Sequence, residues 1–408
     1  MTTTPAATRD SLSFTPDVAG RSASVRSSQR FASVDVLRGI AVVLMAIDHV
    51  RVYSGVPAGG PSPGVFFTRW ITHFVAPAFV FLAGTAAFLH GRKLGSKTAL
   101  AKFLVARGVL LIALELTVIR LAWTFNFDFA SYILAGVIWV IGWSMIALAG
   151  LVFLPTAIVG AFGVVMIFAH NLADIFLRPQ LESLQGSALW SIGYFAFEIG
   201  GTDPLVVLYS LVPWIGVMAA GYAFGALFSL DEQRRRRICL QLGGGAIVLF
   251  IGLRWLNVYG DPRPWESAAG AWPSIRSFLN TSKYPASLLF LLMTLGPAIL
   301  LLPFLERPAS RVSRALEVFG RVPMFYYLLH IPLIHLLAIG VSLARTGAVE
   351  PWLFQNHPMR VGPAPGGYEW SLWLLYLVTA IAVALLYFAC RWYGDVKRRS
   401  RHALLSYL

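Results

Sequence analysis

The stretch from Ser33 to His49 sets Asp35 and Arg38 at one end of an apolar run and Asp48 and His49 at the other. On a helix, Arg38 and His49 fall within about 20° of each other and about 16 Å apart. One face therefore carries a cation at each end. A histidine beside a carboxylate can serve as a general base, taking a proton from an amine or hydroxyl near neutral pH. Adjacent residues do not face one another on a helix, so Asp48 and His49 cannot form a dyad together. One of them should point to a cavity and find its partner on another span. Arg38 supports two readings, an intrahelical ion pair with Asp35 or a planar fork for a phosphate-bearing ligand.

Further titratable groups lie inside other apolar runs, where a charge costs several kcal/mol and marks a functional candidate. Arg69 and His73 are expected at about the depth of His49, with His73 either the second titratable group of a site or a packed histidine. His330 lies about 13 Å beyond Arg321 on a helix, near mid-membrane. It either faces the site or donates to a carbonyl freed by Pro332. Lys283 and Tyr284 precede another run, where the lysine either reaches inward or snorkels. Glu115, flanked by Arg107 and Arg120, is expected to be a buried ion partner. Cys239 and Cys390 show neither metal-ligand spacing nor a disulfide framework, and no metal site is expected.

The elements that must position these residues follow from composition. Of 408 residues, 57% are hydrophobic and 13% charged, and the mean hydropathy is +0.68, too apolar for a chain surrounded by water. Long unbroken apolar runs select helices over a barrel. The expected fold is therefore all-α, a polytopic bundle of about ten transmembrane helices near 36–53, 70–90, 103–122, 131–152, 155–172, 205–229, 238–255, 286–304, 319–342 and 370–390. Pro155 leaves open a single broken span over 131–172.

The net charge of +14 follows membrane topology and does not mark a nucleic-acid surface. Segments 1–35, 91–102, 230–237, 305–318 and 391–408 carry 4, 4, 4, 3 and 5 basic residues, which places them and both termini in the cytoplasm. Residues 1–30 read as a disordered arm, 31–392 as the membrane domain and 393–408 as a basic tail. The 173–204 and 256–285 connections are long enough to cap an outer cavity.

With these residues collected, the chain resembles the bacterial branch of the transmembrane acyltransferases related to lysosomal heparan-α-glucosaminide N-acetyltransferase. The resemblance rests on Ser33-Val-Asp-Val-Leu-Arg-Gly-Ile-Ala with Asp48-His49, and on Phe66 to Gly84 with Arg69, His73 and Pro77. It also rests on Pro213-Trp214, Thr281-Ser-Lys283-Tyr284-Pro285 and Phe325 to His330. It implies a multi-helix enzyme moving an acetyl group from cytoplasmic acetyl-CoA to a sugar amine across the membrane. Arg38 and Arg321 would then meet the CoA phosphates, His49, His73 and Asp48 would do the chemistry, and Arg69, Lys283, Tyr284 and His330 would hold the acceptor. The family's proposed catalytic histidine lies in the loop after its first span. The matching stretch here, Ser54 to Thr68, has no histidine, so that role carries over to no loop residue.

The expected partners are membrane lipid, acetyl-CoA and a sugar or cell-envelope acceptor, with a homo-oligomer left open, in a bacterial inner membrane. The alternative from another class is a transporter or proton-coupled flippase using Asp48, His49, His73 and His330 as a relay.

Overall fold

The computed structural model describes Met1, residues 31–176, Gly193, and residues 204–307 and 310–400. The expected N-terminal arm, most of the 173–204 connection and residues 401–408 lie outside the described residues. The chain divides after Phe31, and the unit beginning at Ala32 carries everything that follows.

Helix α1 spans Ala32–Ser54; α2, Pro63–Trp70, passes through a tight turn into α3, Val75–Leu94. Helix α4, Lys97–Leu114, continues through a π turn at Glu115–Ile119 into α5, Arg120–Thr124. Then come α6, Val137–Leu151, α7, Thr156–Ala169, and α8, Leu172–Phe176. After these follow α9, Leu211–Phe224, α10, Glu232–Leu256, α11, Ala271–Leu279, and α12, Leu288–Leu301. The last three are α13, Arg311–Arg321, α14, Pro323–Thr346, and α15, Leu372–Arg399. Two short strands, β1 (Ile133–Ala135) and β2 (Leu205–Val207), pair in parallel with Ile133 opposite Leu205. The fold is the expected all-α polytopic membrane bundle.

Each of the ten expected segments overlaps a helix, but among the described residues six helices are both long and apolar enough to cross a membrane. Helices α6 and α7, of 15 and 14 residues, fall short of the roughly 20 that a span needs. Helix α1 and the continuous α4–α5 are long enough, but hold Asp35, Arg38, Asp48 and Arg51 in one and Arg107, Glu115 and Arg120 in the other. The residues that lower the count are largely those that build the polar interior.

Pro155 separates α6 from α7, and Lys97 Nζ donates to the carbonyls of Phe153 (2.9 Å) and Leu154 (3.3 Å) in the turn between them. That turn therefore lies at the end of the bundle where α4 begins. Helix α6 packs on α4 and α7 on α9, so 131–172 holds two helices and a reversal. At the same basic end Arg92 donates to Ser229 (2.5 Å), and Arg235 pairs with Glu306 (2.7 Å). At the opposite end Trp272 Nε1 donates to the Pro61 carbonyl (2.5 Å), Trp370 N to Ser54 O (2.9 Å) and Asn126 to Phe354 O (2.8 Å). The connections thus sort into two sets, each bonded within itself.

Helix α13 is separate from α14. Val322 leaves the helical region (φ −134°, ψ 49°) and Pro323 opens the next helix, where a missing N–H costs nothing. The span expected from Phe319 begins at Pro323, and Arg321 closes an amphipathic helix instead. Helix α13 lies directly on α1: a Cβ on Gly320 would come 1.7 Å from Asp35 O, and one on Gly39 would come 1.9 Å from Leu316 O. Glycine alone permits this backbone contact, which holds the Asp35–Arg38 turn of α1. Helix α15 runs through residue 392 to Arg399 without a break.

Candidate functional site

The last turns of α1 carry the densest polar chemistry. Asp48 accepts from Arg51 Nε at 3.1 Å through one oxygen and from Arg69 Nη1 at 2.9 Å through the other. Arg51 also donates to Val56 O (3.1 Å), and Arg69 to Thr72 Oγ1 (3.0 Å). Arg69 further hydrogen-bonds Tyr284, and Lys283 lies near enough to act on Asp48. One carboxylate thus faces three cations in a largely buried cluster.

His49, about 100° further round α1 than Asp48, meets a different set of partners, while Lys283 and Arg69 remain near enough to act on it. Its Nδ1 lies 2.7 Å from His330 Nε2, and its ring stands edge-on to Trp123 with centroids 4.8 Å apart. His330 is fully buried, and its Nδ1 lies 2.6 Å from Tyr327 O and 3.2 Å from Tyr326 O. Carbonyls only accept, so His330 Nδ1 carries a hydrogen and its Nε2 is a lone pair. The shared hydrogen therefore belongs to His49 Nδ1, and His49 Nε2 is left basic. The carbonyls that His330 meets are on its own helix but are those of Tyr326 and Tyr327, not that of Leu328, which lies four residues before Pro332, and its other nitrogen serves His49.

His73 is not brought against His49. It packs edge-on to Phe290 at 5.5 Å and lines a cavity of about 440 Å³ with Ala58, Gly60, Phe66, Arg69, Trp70 and Arg276. Trp70 Nε1 and His73 Nδ1 are buried there, with no hydrogen-bond partner among the described residues.

Lys283 is buried rather than snorkelling, its Nζ 5.1 Å from the Tyr284 ring centroid and 6.0 Å from that of Tyr209. Burial, with Arg69 beside it, lowers its affinity for a proton below that of an ordinary lysine. Burial alone would push the Tyr284 phenol up, but the Lys283 and Arg69 cations outweigh it and hold the phenol below its usual value.

At the basic end Arg38 pairs with Asp35 (3.6 Å) and donates to Leu82 O (3.1 Å), with Arg107 close enough to act on it. Arg321 meets Glu317 at 2.5 Å. Glu115 departs from expectation. It accepts from Tyr327 Oη at 3.1 Å and from the N–H groups of Gly136 and Ile138. Arg120 turns to the carbonyls of Tyr132 (2.9 Å), Asn126 and Asp128 (2.5 Å). Hydrogen bonds to a loop thus displace the expected ion pair. Sequence reasoning passed over Arg51, although its spacing of three from Asp48 signals the contact. It also passed over Trp70 and Arg276, whose roles depend on loops folding over α2.

Fold and site together define a polytopic helical membrane protein with a polar site, containing a histidine pair, at one end of its first helix. Residues 30–260 match the family model described as heparan-alpha-glucosaminide N-acetyltransferase, catalytic. That is more than half of the chain, and the protein belongs to this family of transmembrane acetyltransferases. A search of curated proteins finds no match. The matched stretch holds Arg38, Asp48, His49, Arg69 and His73, while Lys283, Tyr284, Arg321 and His330 lie beyond it.

Proposed function

We propose that the protein transfers an acetyl group from cytoplasmic acetyl-CoA to an amine or hydroxyl of a sugar at the outer face of a bacterial inner membrane. The observation that carries this reading is the His49–His330 pair, in which a buried histidine fixed by main-chain carbonyls leaves His49 Nε2 free to accept a proton. His49 takes that proton as the acceptor nitrogen or oxygen attacks the thioester carbonyl carbon. The C–S bond then breaks, and CoA leaves as the thiol, protonated from the imidazolium. Lys283 and Arg69 supply positive charge for the transient oxyanion. Asp48 anchors the arginines, and His73 belongs to the acceptor cavity.

The relay reading fits less well. A proton path reaching His330 ends on the carbonyls of Tyr326 and Tyr327, with no onward titratable group in that contact. The decisive assay supplies radiolabelled acetyl-CoA and amino sugars to purified protein. Transfer with release of CoA thiol supports the reading, and its absence across neutral and acidic sugars removes it.

Arg38 and Arg107 suit the CoA phosphates, with Arg321 at the neighbouring helix end. The roughly 16 Å from Arg38 to His49 along α1 suits an extended pantetheine arm. Arg38→Lys keeps the charge but loses the planar fork, so acetyl-CoA affinity should fall about tenfold by calorimetry, while Lys102→Gln should leave it unchanged.

The sidedness of this reading rests on the basic connections, which put both termini in the cytoplasm by the positive-inside rule. A cysteine at Ser62 should react with an impermeant thiol reagent on intact cells, and one at Gln233 only after lysis. The reverse pattern would invert the donor and acceptor sides.

A further inference from the structure

We propose that Lys283 is a self-acetylation site, at which acetyl-CoA modifies the buried amine when no acceptor is in place. The donor and the place where it reacts are those of the acetyl-transfer reading, on which this inference rests, while the choice of lysine rests on separate observations. The chain has five lysines. Lys93, Lys97, Lys102 and Lys397 lie in the basic connections 91–102 and 391–408, whereas Lys283 stands near Asp48 and is only 7% exposed. The turn that carries it is fixed on both sides. Lys283 pairs with Ala286 in a short antiparallel bridge, and Asp261 Oδ2 accepts from Ser282 N and from Ser287 Oγ, both at 2.7 Å. The amine is thereby held over two phenol rings, 5.1 Å from the Tyr284 centroid and 6.0 Å from that of Tyr209. Asp48 gives one oxygen to Arg51 and the other to Arg69, so among the described residues Lys283 has no carboxylate of its own.

Only a neutral amine attacks a thioester, and an ordinary lysine is almost wholly protonated near neutral pH. Burial, and after it the Arg69 cation, lower the hold of Lys283 on its proton, against the smaller opposing pull of Tyr284 and Asp48. His49 and His73 are the other titratable groups near enough to feel its charge. In the transfer reading the thioester carbonyl reacts beside His49, so the amine is a second nucleophile for the same carbon. Lys283 Nζ bonds to that carbon and the C–S bond breaks. The proton released from the amine passes to His49 and from there to sulfur, and CoA leaves as the thiol. The product is an amide, which does not hand its acetyl group on. It also replaces an ammonium by a neutral group where the transfer step requires positive charge. Donor without acceptor therefore turns the protein off.

The full chain in detergent is incubated with acetyl-CoA alone and digested, and each lysine-bearing peptide is weighed for one added acetyl group. Exposed Lys102 measures unassisted acetylation in the same sample. Lys283 should be labelled at least about tenfold faster than Lys102, as expected when nucleophile and carbonyl share a site, and its rate should rise with pH as the amine loses its proton. His49→Gln should slow labelling at Lys283 and leave Lys102 as it was. Unfolding the chain before acetyl-CoA is added should erase the difference between the two lysines. Lys283→Arg keeps a cation that forms no such amide, so whatever transfer activity it has should survive a preincubation with acetyl-CoA that diminishes the wild type. An unmodified Lys283 overturns the inference, as do equal labelling of Lys283 and Lys102 and a preference that persists in the unfolded chain. Loss of activity to the same extent in wild type and Lys283→Arg would overturn the self-inactivation. A labelled Lys283 in a protein that acetylates no sugar would remove the acetyl-transfer reading and leave the modification standing. Transfer to a sugar with Lys283 unlabelled would do the opposite.

Discussion

His49→Gln is expected to slow acetyl transfer by about 10² to 10⁴-fold while leaving acetyl-CoA affinity as it was, because glutamine keeps much of the size and polarity but takes no proton. His330→Gln should have a smaller effect of a different kind. It removes the acceptor nitrogen that fixes the His49 tautomer at 2.7 Å, so kcat should fall and the pH profile should move while KM for the donor holds. In the wild type the rate should rise with pH as the His49 imidazole becomes neutral and able to accept. It should fall again at alkaline pH as Lys283 becomes neutral, and burial sets that loss below the ordinary lysine value. Lys283→Met should remove the falling limb and leave the rising one. Full activity in His49→Gln would transfer the role of base to His73, and that variant comes next.

The long apolar helices were legible because the bilayer demands about 20 apolar residues in a row and the chain supplies them plainly, as in 288–305. The polar end of α1 was legible too, since charge inside an apolar run stands out whatever the fold. That Asp48 and His49 must part company followed from helical geometry. Their partners did not, because His330 is 281 residues away and periodicity reports which way a side chain faces, not what it meets. Glu115 misled for the same reason. Its spacing from two arginines suggested an ion pair, but the turn at Phe125, in the left-handed region at φ 47°, folds the 126–132 loop back onto Arg120 and takes its donors. Val322 gave no warning that the Phe319 stretch divides. The cavity was the least legible part, since 54–68 and 256–285 are ordinary loops until Trp272 and Arg276 reach the carbonyls of Pro61 and Gly60.

Asp48→Asn is expected to destabilise the protein by about 3–5 kcal/mol, the loss seen when one partner of a buried ion pair is removed and the other stays buried. Asparagine fits the same space, so the effect is one of charge. Arg51 and Arg69 side chains are only 10% and 13% exposed, and Lys283 beside them is buried, so water cannot replace the lost carboxylate. Thermal unfolding in detergent should drop by several degrees. Adding Arg51→Gln to Asp48→Asn should recover part of the loss, because it removes one of the stranded cations, and the double variant should fall short of the sum of the singles. Unchanged melting in Asp48→Asn would mean that Asp48 does not hold the cluster, and its carboxylate would return as a candidate for the chemistry itself. With lowered melting, activity measured below the transition distinguishes the roles: an anchor leaves the His49-dependent rising limb of the pH profile in place, whereas a catalytic carboxylate takes that limb away with it.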